Sequence, residues 1–206
     1  MSNIILRGVD LSNSDLRGVD LHGVDLRDAN PCKHTIRVVD LRGVDLSDAN
    51  LCDAKLRVVD LRGAVLRDAN LSNTDMRDAN ISNANMYGAN MYGANMYGAD
   101  LRGTDLRNAD MRGAKLRIAD LRNADMRGAD LSGANLYGAR LCTAKLSNAN
   151  LRGADLRYVD LYCTDLSGAN LSGANLNNAD TNTCKYSETT IFPDGFQVPS
   201  TMIKID

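Results

Sequence analysis

The stretch ANMYGANMYGANMYGAD, residues 84–100, contains one five-residue unit three times in succession. A residue that recurs every five positions rotates by about 140° around an α-helix, so its side chains form no continuous stripe. In a β-strand, an odd period places successive copies of the same residue on opposite faces. A period of five therefore excludes a single regular helix or strand through this stretch.

The same unit, a pentad, continues in one frame over most of the chain. Starting from Leu6, 35 central residues follow at intervals of five up to Leu176, and 26 are Leu, six Met, two Ile and one Pro. The residue two places before the centre (position −2) is Ala in 22 pentads and Val in seven. Position −1 is mostly Asp or Asn, position +1 mostly Arg, Ser or Tyr, and position +2 mostly Gly, Asn or Asp.

Five residues are enough for a short extended segment followed by a tight corner, and Gly, Asn and Asp are the residues that such corners prefer. Repeated units of this kind build a solenoid in which each coil stacks on the previous one at strand spacing. The chain contains no Trp, and both of its Phe residues, Phe192 and Phe196, lie in the last fifteen positions. The interior is therefore expected to be narrow and filled by small side chains.

The pentads Ala99-Asp100-Leu101-Arg102-Gly103 and Ala134-Asn135-Leu136-Tyr137-Gly138 resemble the A(D/N)LxG motif of the pentapeptide-repeat family. The resemblance extends from Ile4 to about Asp180 and implies an all-β solenoid, a right-handed quadrilateral β-helix with four pentads in each coil. It further implies that the centre and position −2 point inward. On this basis residues 1–180 form the β-helix, with nearly nine coils, and residues 181–206 form a C-terminal cap or tail.

The pentad Pro31-Cys32-Lys33-His34-Thr35 departs from this pattern. Proline lacks the N–H that a ladder requires, and the imidazole of His34 is too large for an inward Ala position. We expect a local bulge or a small outward loop here, and a loop would shift the face assignment of all later pentads. A metal site of Cys32, His34 and Cys52 is disfavoured because it lacks a fourth ligand, and no cofactor or metal is expected.

The tail after Asp180 has apolar residues that could close the open end of the solenoid, namely Phe192, Phe196, Val198, Met202 and Ile203. An open end exposes unpaired backbone and the apolar interior, so a lid is the favoured interpretation. The alternative is a dimerisation arm, since relatives of this family often pair through their C-terminal ends. The N-terminal end shows no comparable cap and is a second candidate surface for a homodimer.

The composition argues against catalysis, nucleic-acid binding and membrane insertion. The chain has a single Glu and two His, and its many Asp residues follow the repeat. The net charge of −2 is typical neither of a nucleic-acid binder nor of a polyanion. No apolar run approaches the roughly 20 residues that span a bilayer, and no signal peptide is recognisable, so we expect a cytoplasmic protein.

Counting pentads in groups of four divides the outer surface into four faces with different charge. The face whose centres include Leu16, Ile36 and Leu56 has eight basic and four acidic residues, and we call it the basic face. A column of Asp residues on a neighbouring face, which includes Asp20 and Asp40, is expected to offset part of this charge. The candidate partner-binding residues of the basic face are Arg17, Arg37, Arg57, Arg77, Arg117, Arg157, Tyr97, Tyr137, Tyr158, Val38, Val58 and Ile118.

Three functions are compatible with these features. The first is a protein-interaction or structural rod without chemistry of its own, and its partner would be a protein that carries acidic groups. The second follows from the resemblance, because some relatives are gyrase-binding, quinolone-resistance proteins whose acidic rods mimic DNA. Arg columns beside Asp columns weaken such mimicry here. The third, weak nucleic-acid binding through the basic face, is the least favoured.

The basic face predicts a specific effect of mutation. Replacing Arg57, Arg77 and Arg117 together by Ser, a residue that the repeat already uses at position +1, should weaken binding of an acidic partner without unfolding the solenoid. The measurement is partner affinity, with circular dichroism to verify the fold. Unchanged affinity would mean that these Arg residues are ordinary solvated surface.

Overall fold

The computed structural model describes residues 41–205, and in this range each coil contains four pentads. From Asp45 to Asp165, position −1 of each pentad forms a parallel bridge with the residue 20 positions further on, and the columns include Asp45–Val65, Asn50–Asn70, Lys55–Asp75 and Asp60–Asn80. Because 20 residues make four pentads, the bridges confirm the predicted coil and define a repeat β-helix solenoid. Its right-handedness and the total of nearly nine coils remain predictions.

Each pentad closes with a tight turn. The N–H of position −2 in the following pentad donates to the carbonyl of the preceding centre, as from Ala114 to Met111 at 3.0 Å. Position +2 has a positive φ, for example 64° at Gly113 and 58° at Asn108. A positive φ at the third of four turn residues is typical of a type II turn and favours Gly, followed by Asn and Asp.

The backbone ladder between coils uses three N–H groups of each pentad. The N–H of the centre Leu116 donates to Asn135 at 2.7 Å, that of Ile118 at position +2 donates to Tyr137 at 3.0 Å, and that of Lys115 donates to Ala94 at 2.9 Å. The expected short extended segment is reduced to a single bridge residue, because the turn occupies the rest of the pentad. Regular strands among the described residues are limited to β1, Lys185–Tyr186, and β2, Ile203–Lys204, which pair in parallel.

The interior of the solenoid is formed by the two positions that the resemblance assigned to it. From Leu41 to Leu171 all described centres are buried, and so are the Ala or Val residues at position −2. Thr74, Thr104 and Thr164 also occupy position −2, and each hydroxyl donates to a centre carbonyl at 2.6 to 2.8 Å. This bond makes the buried hydroxyl tolerable in an apolar interior.

The stretch 84–100 builds most of one coil. Met86, Met91 and Met96 are fully buried, and the flexible Met side chain suits such an irregular space. The Tyr side chains that follow them point outward, with exposed fractions of 52% for Tyr92 and 42% for Tyr97. The predicted inward Met and outward Tyr residues are therefore confirmed.

The tail packs against the C-terminal end of its own solenoid. Ile191 bridges Asn170, a separation of 21 rather than 20, so one extra residue enters the last coil. Phe192 and Phe196 stack with ring centroids 5.2 Å apart and pack against the core, and Met202 is buried. The prediction that Val198 and Ile203 belong to the lid is wrong. They are 39% and 45% exposed, because the two Phe rings and Met202 already cover the narrow interior.

Several sequence predictions concern residues outside 41–205. The bulge or loop at the Pro31 pentad, the expectation that Cys32, His34 and Cys52 hold no metal, and the uncapped N-terminal end all depend on residues before Leu41, and they remain predictions. The four cysteines within 41–205 are free thiols, namely Cys52, Cys142, Cys163 and Cys184. Cys184 occupies an inward position, and burial raises the pKa of its thiol to about 12.

The turn geometry predicts the cost of a side chain at position +2. Gly113 has a φ of 64°, and no atom lies within 4 Å of where its Cβ would be. Replacing Gly113 by Ala should therefore destabilise the fold by about 1 to 2 kcal/mol, through backbone strain alone. Replacing it by Asn should cost clearly less, because Asn tolerates this conformation. Urea unfolding followed by circular dichroism measures both, and equal losses would contradict the assigned turn.

Candidate functional site

The basic face is a strip of outward side chains along the solenoid axis. Its position −1 column is joined by successive bridges through Lys55, Asp75, Asn95, Lys115, Asn135 and Asp155. The described candidates all occupy outward positions in the same pentads, namely Arg57, Arg77, Tyr97, Arg117, Tyr137, Arg157, Val58, Ile118 and Tyr158. Arg17, Arg37 and Val38 lie outside the described residues.

The apolar residues of this face stand in an unfavourable backbone conformation. Val58, Ile118 and Tyr158 have φ values of 60°, 52° and 58°, in the left-handed region that β-branched and bulky residues avoid. Their side chains are 59%, 48% and 55% exposed, so they contribute nothing to the core. Val, Ile or Tyr occurs at only four of the 35 residues at position +2. These four, Val38, Val58, Ile118 and Tyr158, all belong to the basic face.

Most Arg side chains at position +1 are neutralised within their own pentad. The guanidinium forms a forked pair with the Asp two residues earlier, as in Arg77 with Asp75, where the two N–O distances are 2.7 and 2.6 Å. The same fork occurs in eight described pentads, with Asp at 60, 75, 100, 105, 110, 120, 125 and 155. Bidentate pairing of this kind also orients the Arg side chain along the surface.

This geometry corrects one expectation from the sequence. Arg77 and Arg157 of the basic face are offset by Asp75 and Asp155 of their own pentads and not by an Asp column on a neighbouring face. In that column Asp60, Asp100 and Asp120 engage Arg on their own face, as Asp100 does with Arg102. The hydrogen bond from Arg77 is the main cause that lowers the pKa of Asp75, and Arg157 does the same for Asp155.

Two pentads of the basic face have Lys where the fork requires Asp. They are Ala54-Lys55-Leu56-Arg57-Val58 and Ala114-Lys115-Leu116-Arg117-Ile118, and no other pentad of the repeat has two basic residues. In residues 41–205, no ion pair involves any of their four cationic side chains, all of which are exposed. Lys55 and Lys115 were not among the candidates from sequence, although the change from Asp to Lys at position −1 was a readable signal.

An aromatic cluster lies on the same face, towards the C-terminal end. The Tyr137 ring is half-buried between two guanidinium groups, with the Cζ of Arg117 5.0 Å and the Cζ of Arg157 5.4 Å from its centroid. The Tyr158 ring lies 5.3 Å from that of Tyr137 at an angle of 52°. These contacts hold Arg117 against the surface while its charge stays exposed to solvent.

An open depression of about 430 Å³ lies beside this cluster. It is lined by Arg77, Asn95, Tyr97, Lys115, Arg117 and Asn135. Asn95 and Asn135 flank Lys115 in one column, and Tyr97 lies one coil from both Arg77 and Arg117 in the next. Two of the lining residues, Lys115 and Arg117, are cations without an ion pair in the described part of the chain, and they favour an anionic group at their end of the depression.

Within residues 41–205, no group of His, Cys, Asp or Glu side chains is arranged to hold a metal ion. The same part of the chain has no helix that is long and apolar enough to cross a membrane.

The 20-residue coil, the inward Leu and Ala positions and the turn at each position +2 define a repeat β-helix. The family model described as Pentapeptide repeats matches with eight copies, over residues 1–30 and in overlapping segments from 60 to 180. The chain therefore belongs to the pentapeptide-repeat family. No curated protein sequence matches it significantly.

Two solved structures illustrate the likeness. HetL, a pentapeptide-repeat protein involved in heterocyst differentiation regulation from the cyanobacterium Nostoc sp. strain PCC 7120, is 33% identical. The match covers 94% of this chain and 91% of HetL, with a TM-score of 0.53. QnrB1, a plasmid-mediated fluoroquinolone resistance protein, is 17% identical over 86% of this chain and 91% of its own, with a TM-score of 0.78. The likeness to QnrB1 concerns the fold alone.

The stacking around Tyr137 predicts a difference between two Tyr residues of this face. Replacing Tyr137 by Ser removes two cation–π contacts and one ring contact, and should lower the free energy of unfolding by about 1 to 2 kcal/mol. Tyr97, which has neither kind of contact, is the matched control, and its replacement by Ser should change stability little. Chemical denaturation of both variants measures this, and equal losses would show that the stacking is not stabilising.

Proposed function

We propose that this protein is a non-enzymatic protein-interaction rod whose partner docks on the basic face. Within residues 41–205 the basic face presents a strip of exposed side chains along the solenoid, as suits a rigid binding surface. HetL, at 33% identity, is described as involved in a regulatory process, and a regulatory interaction role for this chain is consistent with that relationship. A cytoplasmic location belongs to the same proposal.

The observation that carries the proposal is the strained apolar column at Val58, Ile118 and Tyr158. A side chain in the left-handed region costs of order 1 to 3 kcal/mol when it is neither Gly nor Asn, and such strain clusters at functional sites. Because about half or more of each side chain is exposed, burial in the core does not offset this cost. Apolar and aromatic groups next to Arg are also typical of the centres of protein interfaces.

The non-enzymatic part of the proposal is supported by the state of the carboxylates. A general acid or base requires a carboxylate whose pKa approaches the working pH. Seven Asp residues within 41–205 have a lowered pKa, and each of them is held in an Arg fork. These groups remain ionised and bound, which makes them poor proton-transfer residues.

A gyrase or topoisomerase modulator is the alternative function, and nucleic-acid binding is the second. DNA mimicry requires a sustained negative field, whereas the Arg forks neutralise eight described Asp residues within their own pentads. The bridges keep a separation of 20 from Asp45 to Lys185, so this range has no inserted external loop. A homodimer through a solenoid end remains a further proposal. A supercoiling assay with titrated protein would detect gyrase modulation.

The strained column predicts opposite effects on stability and binding. Replacing Val58, Ile118 and Tyr158 together by Asn, a residue that the repeat uses at position +2, should raise the free energy of unfolding by about 1 kcal/mol or more. The same variant should lose its partner, because the apolar contacts are gone. The measurement is quantitative capture of binding proteins from the source cell by wild type and variant, alongside chemical denaturation.

Thr143 supplies the matched control, because it is a β-branched residue with a φ of 61° on a different face. Replacing Thr143 by Asn should leave the captured proteins unchanged. If the triple variant captures the same partners with the same yield as wild type, the basic face is not the docking surface. Inhibition of gyrase by wild type and not by the triple variant would instead support the alternative function.

A further inference from the structure

The positive charge of the basic face is concentrated at two points. Lys55 with Arg57 and Lys115 with Arg117 form two unpaired doublets in equivalent positions of the repeat. Three bridges separate them, from Lys55 to Asp75, Asn95 and Lys115. At strand spacing of about 4.8 Å per coil, the doublets lie about 14 Å apart along the solenoid axis.

The surface between the doublets is neutral or negative. Arg77 is bound by Asp75, and the next coil presents the uncharged Asn95 and Tyr97. Asp78 stands in the position +2 column directly after Val58 and repels any anion that covers it. A ligand with continuous negative charge, such as a nucleic acid, therefore loses at the centre part of what it gains at the doublets.

The spacing also discriminates between backbone conformations of a partner. An extended chain advances about 3.3 Å per residue, so residues i and i+4 lie about 13 Å apart and on the same side. On an α-helix the residues that share a face at this range are i+7, i+8 and i+11, at about 10.5, 12 and 16.5 Å, and none matches the spacing of about 14 Å as closely as the extended chain does. A helix about 10 Å wide would also cover both flanks of this strip.

We infer that the partner segment is an extended acidic peptide, lying along the solenoid axis, with two carboxylate clusters four residues apart. One cluster binds Lys55 and Arg57, and the other enters the 430 Å³ depression, where Lys115, Arg117 and the amides of Asn95 and Asn135 donate to it. Val58 and Ile118 lie in the same coils as the two doublets, so apolar side chains next to each carboxylate cluster contact them. This inference rests on the proposed function, since it assumes that the basic face is the docking surface.

The test uses two fluorescent peptides of equal composition, Asp-Glu-Thr-Val-Asp-Glu with separated acidic pairs and Asp-Glu-Asp-Glu-Thr-Val with contiguous ones. Fluorescence anisotropy at low ionic strength gives both affinities for the full chain. We expect the separated peptide to bind about tenfold more tightly, because it alone can engage both doublets at once. Equal binding of the two peptides, or binding of neither, would overturn the inference.

Variants at position −1 provide the control for charge. The Lys55→Asn/Lys115→Asn variant and the Arg140→Asn/Lys145→Asn variant make the same change in net charge with a residue that the repeat already uses there. The first should reduce binding of the separated peptide to the level of the contiguous one, and the second should not. Lys55→Asp/Lys115→Asp, which restores the Asp-x-Arg fork, should abolish the preference. Equal effects of the two Asn variants would indicate non-specific charge.

A 20-base-pair DNA duplex distinguishes the nucleic-acid alternative. Tighter binding of the duplex than of either peptide, lost in the Lys55→Asp/Lys115→Asp variant, would overturn the acidic-peptide inference. The acidic-peptide inference can fail while the proposed function holds, and one result distinguishes the two. Partner capture that needs Val58, Ile118 and Tyr158 but survives Lys55→Asp/Lys115→Asp would keep the docking face and reject the charge spacing.

Discussion

The whole solenoid depends on one backbone constraint, which is that position +2 of each pentad adopts a positive φ. With only five residues per side, the chain must turn immediately after each centre, and the left-handed residue accomplishes this. The turn returns position −2 to the interior and aligns position −1 with its bridge partner 20 residues away. Gly, Asn and Asp recur at +2 because they adopt this conformation at the lowest cost.

The same constraint makes departures from the repeat informative. A residue such as Ile118 at position +2 strains the backbone and stays outside the core, so stability alone does not explain its presence. The interior tolerates change more easily, since Thr104 satisfies its hydroxyl with a neighbouring carbonyl. Unusual residues at the turn position therefore point to function, whereas unusual residues in the interior reflect only packing.

Charge on this fold has to be counted by pentad before it is counted by face. An Asp at −1 and an Arg at +1 lie on the same side of one pentad, and the forked pair brings them together at hydrogen-bond distance. Most of the formal charge is thereby removed from long-range electrostatics, and the pentads that lack the Asp dominate what remains. Lys55 and Lys115 matter for this reason. The net charge of the face alone does not distinguish them from the Arg residues that are paired with Asp.

The period of five, the inward Leu and Ala and the turn residues were decided by the sequence, because each pentad repeats the same local constraint and needs no distant contact to express it. Tertiary structure decided the rest. Only the packed end shows that Phe192, Phe196 and Met202 cover the interior while Val198 and Ile203 stay exposed, since the small opening leaves room for a few side chains. Only the folded pentad shows which Asp neutralises which Arg, because that depends on the direction of side chains after the turn. The stacking of coils then brings together Lys115, Arg117 and Tyr97, which the sequence separates by up to 20 positions.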